Sequence, residues 1–175
     1  MKSDDLLSEF EPDRPWVETR KGTAMSRVTA ISGVTVHRLV QRRDDRGYLT
    51  ELLTMRDNPE EPIVHVYQVH AEPGSIRGWV YHRWQEDRLT FTEGQFRLAL
   101  YDLREGSPSF RKLEVLDVGA ENPARVTIPP HVVHALKNIG PGRACFVNFP
   151  TRAYDPANPD KARLPFPDPR IPFEF

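Results

Sequence analysis

Hydrophobic and polar residues alternate along most of this chain with a period of two, the pattern typical of β-strands. In one such run Phe96, Leu98 and Leu100 alternate with polar or smaller residues, so one face should be buried more deeply than the other. Turn sequences rich in Gly, Pro, Asn and Asp separate these runs, and short strands at such near-regular spacing predict an all-β sandwich or barrel. The pattern predicts ten strands, at 34–40, 47–55, 63–70, 76–82, 88–94, 95–103, 112–118, 124–129, 134–139 and 144–149.

The two ends of the chain depart from this pattern. Residues 1–27 show no sustained periodicity and are predicted to form an extended or partly helical N-terminal arm, in which Met25 is an alternative start. Seven prolines fall within 150–175, too many for a continuing sheet. We therefore predict a barrel over 28–150 and an extended strap over 151–175 that crosses its surface.

Composition narrows the class of protein. A chain of 175 residues favours one domain, and its seventeen prolines and ten glycines exclude long helices. Basic and acidic residues are interspersed along the chain and give a net charge of -1. No strongly basic surface is therefore expected, which excludes nucleic acid as a main partner. No apolar run approaches the roughly 20 residues that cross a bilayer, so no membrane partner is expected. The single cysteine, Cys145, cannot form an intrachain disulfide, and without a signal-like opening the cytoplasm is the expected location.

Polar residues gather around the run 76–82. Alternate residues of a strand share a face, so His82 lies beside Val80 while Tyr81 points to the other side. This segment resembles the first sequence motif of the cupin superfamily, with a glycine at 74, His82, Glu86 and a second glycine at 94. Val80 stands where the first histidine of that motif belongs.

The segment 128–138 resembles the second cupin motif. Pro129, His134 and Asn138 match it, and His131 replaces its glycine. The two motifs occur in the expected order, with two predicted strands between them. The resemblance implies an all-β double-stranded β-helix, the cupin jelly roll, carrying the N-terminal arm and the Pro-rich C-terminal strap as extensions.

A closer resemblance extends over about 34–156 and is to the dTDP-4-dehydrorhamnose 3,5-epimerase family, which belongs to the cupin superfamily. The matching residues are Asp45-Arg46-Gly47-Tyr48 with Glu51, Gln68, Arg77-Gly78, Asp102-Leu103-Arg104 with Ser107-Pro108 and Phe110, Glu121-Asn122, Ile128-Pro129, His134, Tyr154 and Pro156. The resemblance implies an isomerase of carbohydrate biosynthesis that epimerises a nucleotide-diphosphate 4-keto-6-deoxyhexose, such as a dTDP sugar, without a cofactor. It does so with a base on one face of the sugar and an acid on the other.

The chain departs from the family at both proton-transferring positions. Val80 stands at the position of the histidine base, and Asn148 at that of the tyrosine acid. Valine cannot carry a proton, and an amide can only donate a hydrogen bond. We therefore expect His82, two residues along the same strand face, to replace the base.

Other groups must supply the acid and the binding contacts. Tyr154 and His134 complete the expected catalytic set, with Tyr67 and Tyr81 as alternative acids, although Tyr81 points the wrong way. The candidates for substrate binding are Arg46, Glu51, Gln68, Arg77, Arg88 and Asn148. A guanidinium group fits phosphate oxygens well, but Arg77 and Arg88 could equally form surface ion pairs.

Two other functions remain open. His82, Glu86 and His134 form a two-histidine, one-carboxylate set that could bind a divalent metal such as Fe, Mn, Ni or Zn. Alternatively, the barrel binds a nucleotide-diphosphate sugar without turning it over. In each case a homodimer is expected, because the edge strand of so short a barrel needs cover from the arm or from a partner subunit.

Overall fold

The computed structural model describes residues 26–55 and 62–175, and all regular secondary structure in those ranges is β-strand. None of the described residues forms a helix long and apolar enough to cross a membrane. The strands are β1 (Ser26–Val28), β2 (Thr35–Arg38), β3 (Gln41–Asp44), β4 (Gly47–Thr50), β5 (Tyr67–Ala71), β6 (Ile76–His82), β7 (Asp87–Glu93), β8 (Gln95–Asp102), β9 (Leu113–Gly119), β10 (Ala124–Ile128), β11 (Val132–Asn138), β12 (Ala144–Asn148) and β13 (Lys161–Arg163).

The strands form two main antiparallel sheets. One sheet has six strands in the order β1-β2-β10-β7-β12-β5, and the other has five in the order β13-β6-β11-β8-β9. Strands β3 and β4 form a separate hairpin. All ten strands predicted from the sequence are present, with differences at their ends, while β1, β3 and β13 were not predicted.

The main core lies between the two sheets. It contains Phe91, Phe96 and Phe146, whose ring centroids are 5.3 to 5.8 Å apart. Leu98 and Leu100 of β8 are fully buried in the same cluster, while Ala99 and Tyr101, which point to the other side of the sheet, are buried as well. The period-two pattern therefore separates the two faces of β8 correctly, but the expectation that one face is buried more deeply than the other is wrong over 98–101, because the second face is covered too.

A second apolar cluster lies on the outer face of the five-stranded sheet. Its centre is Trp79 of β6, which packs against Phe166 and Phe173 from the C-terminal segment. Ile171 is buried in the same cluster. The C-terminal segment thus packs on this sheet face, and residues 1–25 of the predicted arm lie outside the described residues.

Gly78 allows β6 and β11 to approach closely. The pairing of these strands shifts between His134 and Leu136, and Gly78 lies opposite Ala135 with φ +140°. A Cβ atom at Gly78 would overlap the side chain of Ala135. The absence of a side chain there keeps Val80 paired with His134, at the part of the barrel where the polar residues converge.

Candidate active site

Two neighbouring cavities lie where the edges of the two sheets meet. The outer one, of about 530 Å³, is bounded by β5, β6 and residues 150–163, and the inner one, of about 80 Å³, lies within the barrel. Tyr67, Lys161 and Arg163 line both cavities. A ligand that reaches from one cavity into the other must therefore pass these three side chains.

The strand pair β6–β13 brings the C-terminal segment to this site. Lys161 pairs with His82, and Arg163 pairs with Val80. Directly paired residues of an antiparallel ladder place their side chains on the same face of the sheet. Lys161 and Arg163 therefore face the cavities together with His82 and Val80.

A buried carboxylate organises the polar side chains of the site. Asp87 Oδ2 lies 3.2 Å from His82 Nε2 and 3.4 Å from His134 Nε2. Its Oδ1 accepts hydrogen bonds from Gln85 Nε2 at 2.8 Å and from Asn148 Nδ2 at 2.9 Å. Four side chains from four elements of the chain are thus held around one negative charge.

Asp87 is ionised despite its burial. Burial by itself raises the pKa of this carboxyl, but the hydrogen bonds and charges of His134 and His82 outweigh it and hold the pKa well below the ordinary value of 3.8. Because the carboxylate only accepts hydrogen bonds, each histidine must present an N–H at Nε2. The two Nε2 atoms are thus both directed at Asp87.

A second carboxylate, that of Asp160, fixes the loop after β6. Its Oδ1 accepts hydrogen bonds from the backbone N–H groups of Arg83 and Trp84 at 2.9 and 3.0 Å. Its Oδ2 accepts one from Gln85 N at 2.9 Å and lies 3.5 Å from His82 Nδ1. The C-terminal segment is therefore bound to the site as well as to the outer sheet face.

Tyr67 stands beside the asparagine that occupies the family's acid position. It pairs with Asn148 across β5 and β12, and Asn148 Nδ2 donates a hydrogen bond to Tyr67 Oη at 2.8 Å. Burial and the charge of Asp87 raise the pKa of the phenol, and the bond from Asn148 only partly opposes them. Tyr67 is therefore a neutral phenol whose own proton can be donated.

Lys161 stands on the other side of the cavities. Much of the residue is exposed, but burial of its ammonium group lowers the pKa, as does the charge of Arg163. Asp87 opposes this shift and Arg77 adds to it. The amine is therefore easier to deprotonate than an ordinary lysine.

The other predicted catalytic residues differ in position. Tyr154 lines the outer cavity but is 63% exposed. Tyr81 lies on the opposite face of β6, stacked on His131 with ring centroids 5.8 Å apart, as its place in the strand predicts. Arg77, a predicted substrate-binding residue, lines the inner cavity.

The remaining predicted binding residues are not assembled at the cavities. Arg46 lies on the β3–β4 hairpin, where it pairs with Asp44. Glu51 is exposed beyond the same hairpin. Neither lines the outer or the inner cavity.

Gln68 and Arg88 face away from the cavities for a common reason, which is strand alternation. Gln68 is next to Tyr67, on the exposed side of β5. Arg88 lies between Asp87 and Leu89, both of which line the inner cavity, and its Nε donates to the carbonyl oxygen of Phe149 at 2.6 Å.

The carboxylate between the two histidines is Asp87 and not Glu86. Glu86 is anchored through its backbone N–H, which donates to Thr151 Oγ1. Across 26–55 and 62–175, no three His, Cys, Asp or Glu side chains are arranged to hold a metal ion. The predicted set of His82, Glu86 and His134 is thus not assembled in the described part of the chain.

Sequence reasoning missed Asp87, Asp160 and Lys161. Asp87 directly precedes a predicted strand, and its alternation with Leu89 and Phe91 was a usable signal of an inward position. For Lys161, the spacing of two positions from Arg163 is compatible with a strand. The surrounding prolines argued against a strand there, so β13 was not predicted. For Asp160, nothing in the sequence indicates that its carboxylate binds the loop 83–85.

Comparison with known proteins identifies relatives over most of the chain. The model of the family described as dTDP-4-dehydrorhamnose 3,5-epimerase matches residues 28–175. The spore coat polysaccharide biosynthesis protein SpsL of Bacillus subtilis (strain 168) is 34% identical over 145 residues, which cover 83% of this chain and 96% of SpsL. The probable low-salt glycan biosynthesis epimerase Agl13 of Haloferax volcanii is 32% identical over 139 residues, covering 78% and 88% of the two chains.

Solved structures share the fold. A dTDP sugar isomerase from Desulfovibrio desulfuricans G20 matches with a TM-score of 0.78 and 23% identity, over 83% of this chain and 92% of the other. NovW, a 4-keto-6-deoxy sugar epimerase from Streptomyces spheroides, matches with a TM-score of 0.76 and 21% identity, over 86% of this chain and 78% of NovW. The epimerase RmlC of Legionella pneumophila, in complex with dTDP-4-keto-L-rhamnose, matches with a TM-score of 0.76 and 20% identity, over 86% of this chain and 82% of RmlC. The predicted cupin jelly roll is therefore confirmed.

Proposed function

The chain belongs to the dTDP-4-dehydrorhamnose 3,5-epimerase family, and from that premise we propose that it is a cytoplasmic, homodimeric epimerase of a dTDP-4-keto-6-deoxyhexose. The observation that carries the proposal is the pair of joined cavities with Tyr67 on one side and the β6–β13 pair on the other. Tyr67 supplies an acid and the side chains of the β6–β13 pair supply basic groups, so the proposed reaction needs no added cofactor.

The proposed reaction is proton transfer at a carbon next to the ketone. The 4-keto group makes the C–H bonds at C3 and C5 acidic, so a base can remove one proton and leave an enolate. An acid on the opposite face then returns a proton to the same carbon, which inverts it. Nearby hydrogen-bond donors stabilise the enolate oxygen.

Tyr67 is the acid in this proposal. It replaces the phenol missing at position 148 from the next strand, and its oxygen already accepts a hydrogen bond from Asn148. Two groups stand on the basic side, His82 and Lys161, which are paired across β6 and β13. His134 shares Asp87 with His82 and so positions the histidine side of the site.

The outer cavity is proposed to hold the nucleotide diphosphate. Its volume of about 530 Å³ lies within the usual range for small-molecule sites, roughly 300–1,000 Å³. Arg152 and Arg163 stand on its walls as donors for phosphate oxygens, and Tyr154 offers an exposed ring to the nucleotide. The RmlC structure with a bound dTDP-linked keto sugar supports this class of ligand.

Solvent exchange tests the proposal directly. Incubation with a dTDP-4-keto-6-deoxyhexose in D₂O should place deuterium at C3 or C5, as measured by NMR and mass spectrometry. Tyr67→Phe should lower the rate of inversion, measured by NMR, by about 10²-fold or more, because the acid is removed, while the base alone can still exchange the proton. Tyr81→Phe is the matched control, since that phenol faces away from the cavities, and it should exchange at the wild-type rate.

Two results would contradict the proposal. Binding of dTDP sugars without exchange, together with a gain of exchange in Val80→His with Asn148→Tyr, would identify a non-catalytic nucleotide-sugar-binding barrel. Stoichiometric Fe, Mn, Ni or Zn in protein purified without chelator would instead favour the metal alternative.

A further inference from the structure

We infer that Lys161 is the catalytic base of this site, in place of the group that Val80 cannot provide. The inference rests on the proposed function, which requires a base and an acid on opposite faces of one sugar ring. It assigns the base to a strand of the C-terminal segment instead of to the barrel strand β6.

The first argument is the position of Lys161 relative to Tyr67. Lys161 lies on β13, at one edge of the five-stranded sheet, and Tyr67 lies on β5, at one edge of the six-stranded sheet. Both side chains line both cavities. A sugar held between these two edges has an amine on one face and a phenol on the other, which is the arrangement that inversion of a carbon requires.

The second argument is that His82 is already engaged. It is 7% exposed, with Nε2 3.2 Å from Asp87 Oδ2 and Nδ1 3.5 Å from Asp160 Oδ2. Its Nε2 is therefore held by Asp87, while Nδ1 makes no hydrogen bond with the described residues and is buried beside Asp160, although the ring itself lines the outer cavity. The ammonium group of Lys161, in contrast, makes no hydrogen bond or ion pair with the side chains that the structure describes, so it can reach a substrate without breaking such a contact.

The third argument is the proton affinity of Lys161. Burial and the neighbouring Arg163 lower the pKa of its ammonium group, although Asp87 works against this. A lysine amine whose pKa has been lowered by its surroundings is a usual general base.

The reaction step balances as follows. The amine lone pair of Lys161 takes the proton, the C–H electrons form the C=C bond, and the carbonyl becomes an enolate. The Tyr67 O–H then protonates the same carbon from the opposite face. This leaves an ammonium and a phenolate, which return to their starting forms by proton exchange with water.

The test measures deuterium exchange, kcat, KM and dTDP affinity. Lys161→Met, which removes the amine but keeps the length of the side chain, should lower kcat by ~10²–10⁴-fold. The Kd for dTDP should change by less than about threefold. Lys161→Arg should be equally slow, because a guanidinium stays protonated. Lys112→Met is the control, because that lysine is exposed and lines neither cavity. Its kcat should equal that of the wild type.

Two further readouts separate catalysis from structure. Added ethylamine should restore exchange to Lys161→Ala, and more strongly at higher pH, because only the free amine accepts a proton. In the wild type, kcat/KM should rise with pH through the pKa of the Lys161 ammonium, and Lys161→Met should lose that rise.

Different failures have different meanings. If the wild type exchanges, Lys161→Met keeps its rate within about threefold and His82→Gln loses it, then His82 is the base and the inference is overturned while the proposed function stands. If the wild type itself does not exchange deuterium, the proposed function fails as well. Should Lys161→Met not fold, Lys161→Arg, which keeps the charge and the long stem, decides the question.

Discussion

Asp87 is the residue on which the geometry of the site depends. It is buried, it accepts hydrogen bonds from Gln85 and Asn148, and it faces the Nε2 atoms of His82 and His134. Removing its charge leaves two imidazoles facing a neutral group in a buried site. Loss of a buried charge that has several partners destabilises the fold strongly, because the partners are left unpaired.

We expect Asp87→Asn to lower the free energy of unfolding at pH 7 by ~3–5 kcal/mol, as measured by urea denaturation. Asp45→Asn, at an exposed turn, should change it by less than about 0.5 kcal/mol. Because the pKa of Asp87 is lower in the folded state than its ordinary value of 3.8, the ionised group stabilises the fold above that value. The difference between wild type and variant should therefore shrink as the pH falls from 3.8 through the folded pKa. A difference that stays constant down to pH 2 would contradict this account.

At single positions, the sequence showed which proton-transferring residues of the family are missing more clearly than which residues replace them. Val80 and Asn148 could be recognised as departures from the family, and their positions in the cavity region agree with that interpretation. The neighbours that compensate come from other strands, Tyr67 opposite Asn148 and Lys161 next to His82. Such pairings depend on register between distant segments, which alternation within one strand does not determine.

At the scale of secondary-structure elements, the C-terminal segment has two roles. Its strand β13 extends the five-stranded sheet at the cavity, and the residues after it cover the outer face of the same sheet. The density of prolines was the basis for predicting an extended strap that does not continue the sheet. It concealed β13, because a strand of three residues fits between Pro159 and Pro165 without any proline in the ladder.

Packing of this segment should contribute measurably to stability. Ile171 is 4% exposed within the second cluster, so Ile171→Ala should lower the free energy of unfolding by ~2–5 kcal/mol. Ile139→Ala is the matched control, because that side chain is 38% exposed, and its effect should be below about 1 kcal/mol. Denaturation of both variants in guanidinium chloride measures the two values. Equal effects would mean that the strap rests on the sheet without stabilising it.

At the scale of the whole molecule, exposed apolar residues occur both before the edge strand β5 and on the β3–β4 hairpin. Val64 and Val66 precede the edge strand β5 and are 45% and 49% exposed. On the β3–β4 hairpin, Tyr48 and Leu49 are 54% and 61% exposed. Exposed apolar surface next to an unpaired strand edge favours association with another chain.

We expect the exposed apolar residues of the β3–β4 hairpin to lie in the interface of the proposed homodimer. Sedimentation equilibrium should then give twice the chain mass of 20.2 kDa, and Leu49→Glu should shift the protein toward the monomer by placing a charge in the contact. Lys112→Glu, which also changes the charge of an exposed residue but lies on another part of the surface, should remain dimeric. A wild-type protein that is monomeric at micromolar concentration would contradict the expectation.

The position of β13 in the chain has a consequence for biosynthesis. Strands β2 to β12 precede Asp160 and Lys161, so a nascent chain emerging from the ribosome can pair its barrel strands while the site still lacks these two residues. Until they emerge, His82 and the loop after it lack the carboxylate that fixes them. In this order of synthesis the C-terminal segment is the last to dock, and the two cavities are completed only after the barrel strands that carry them.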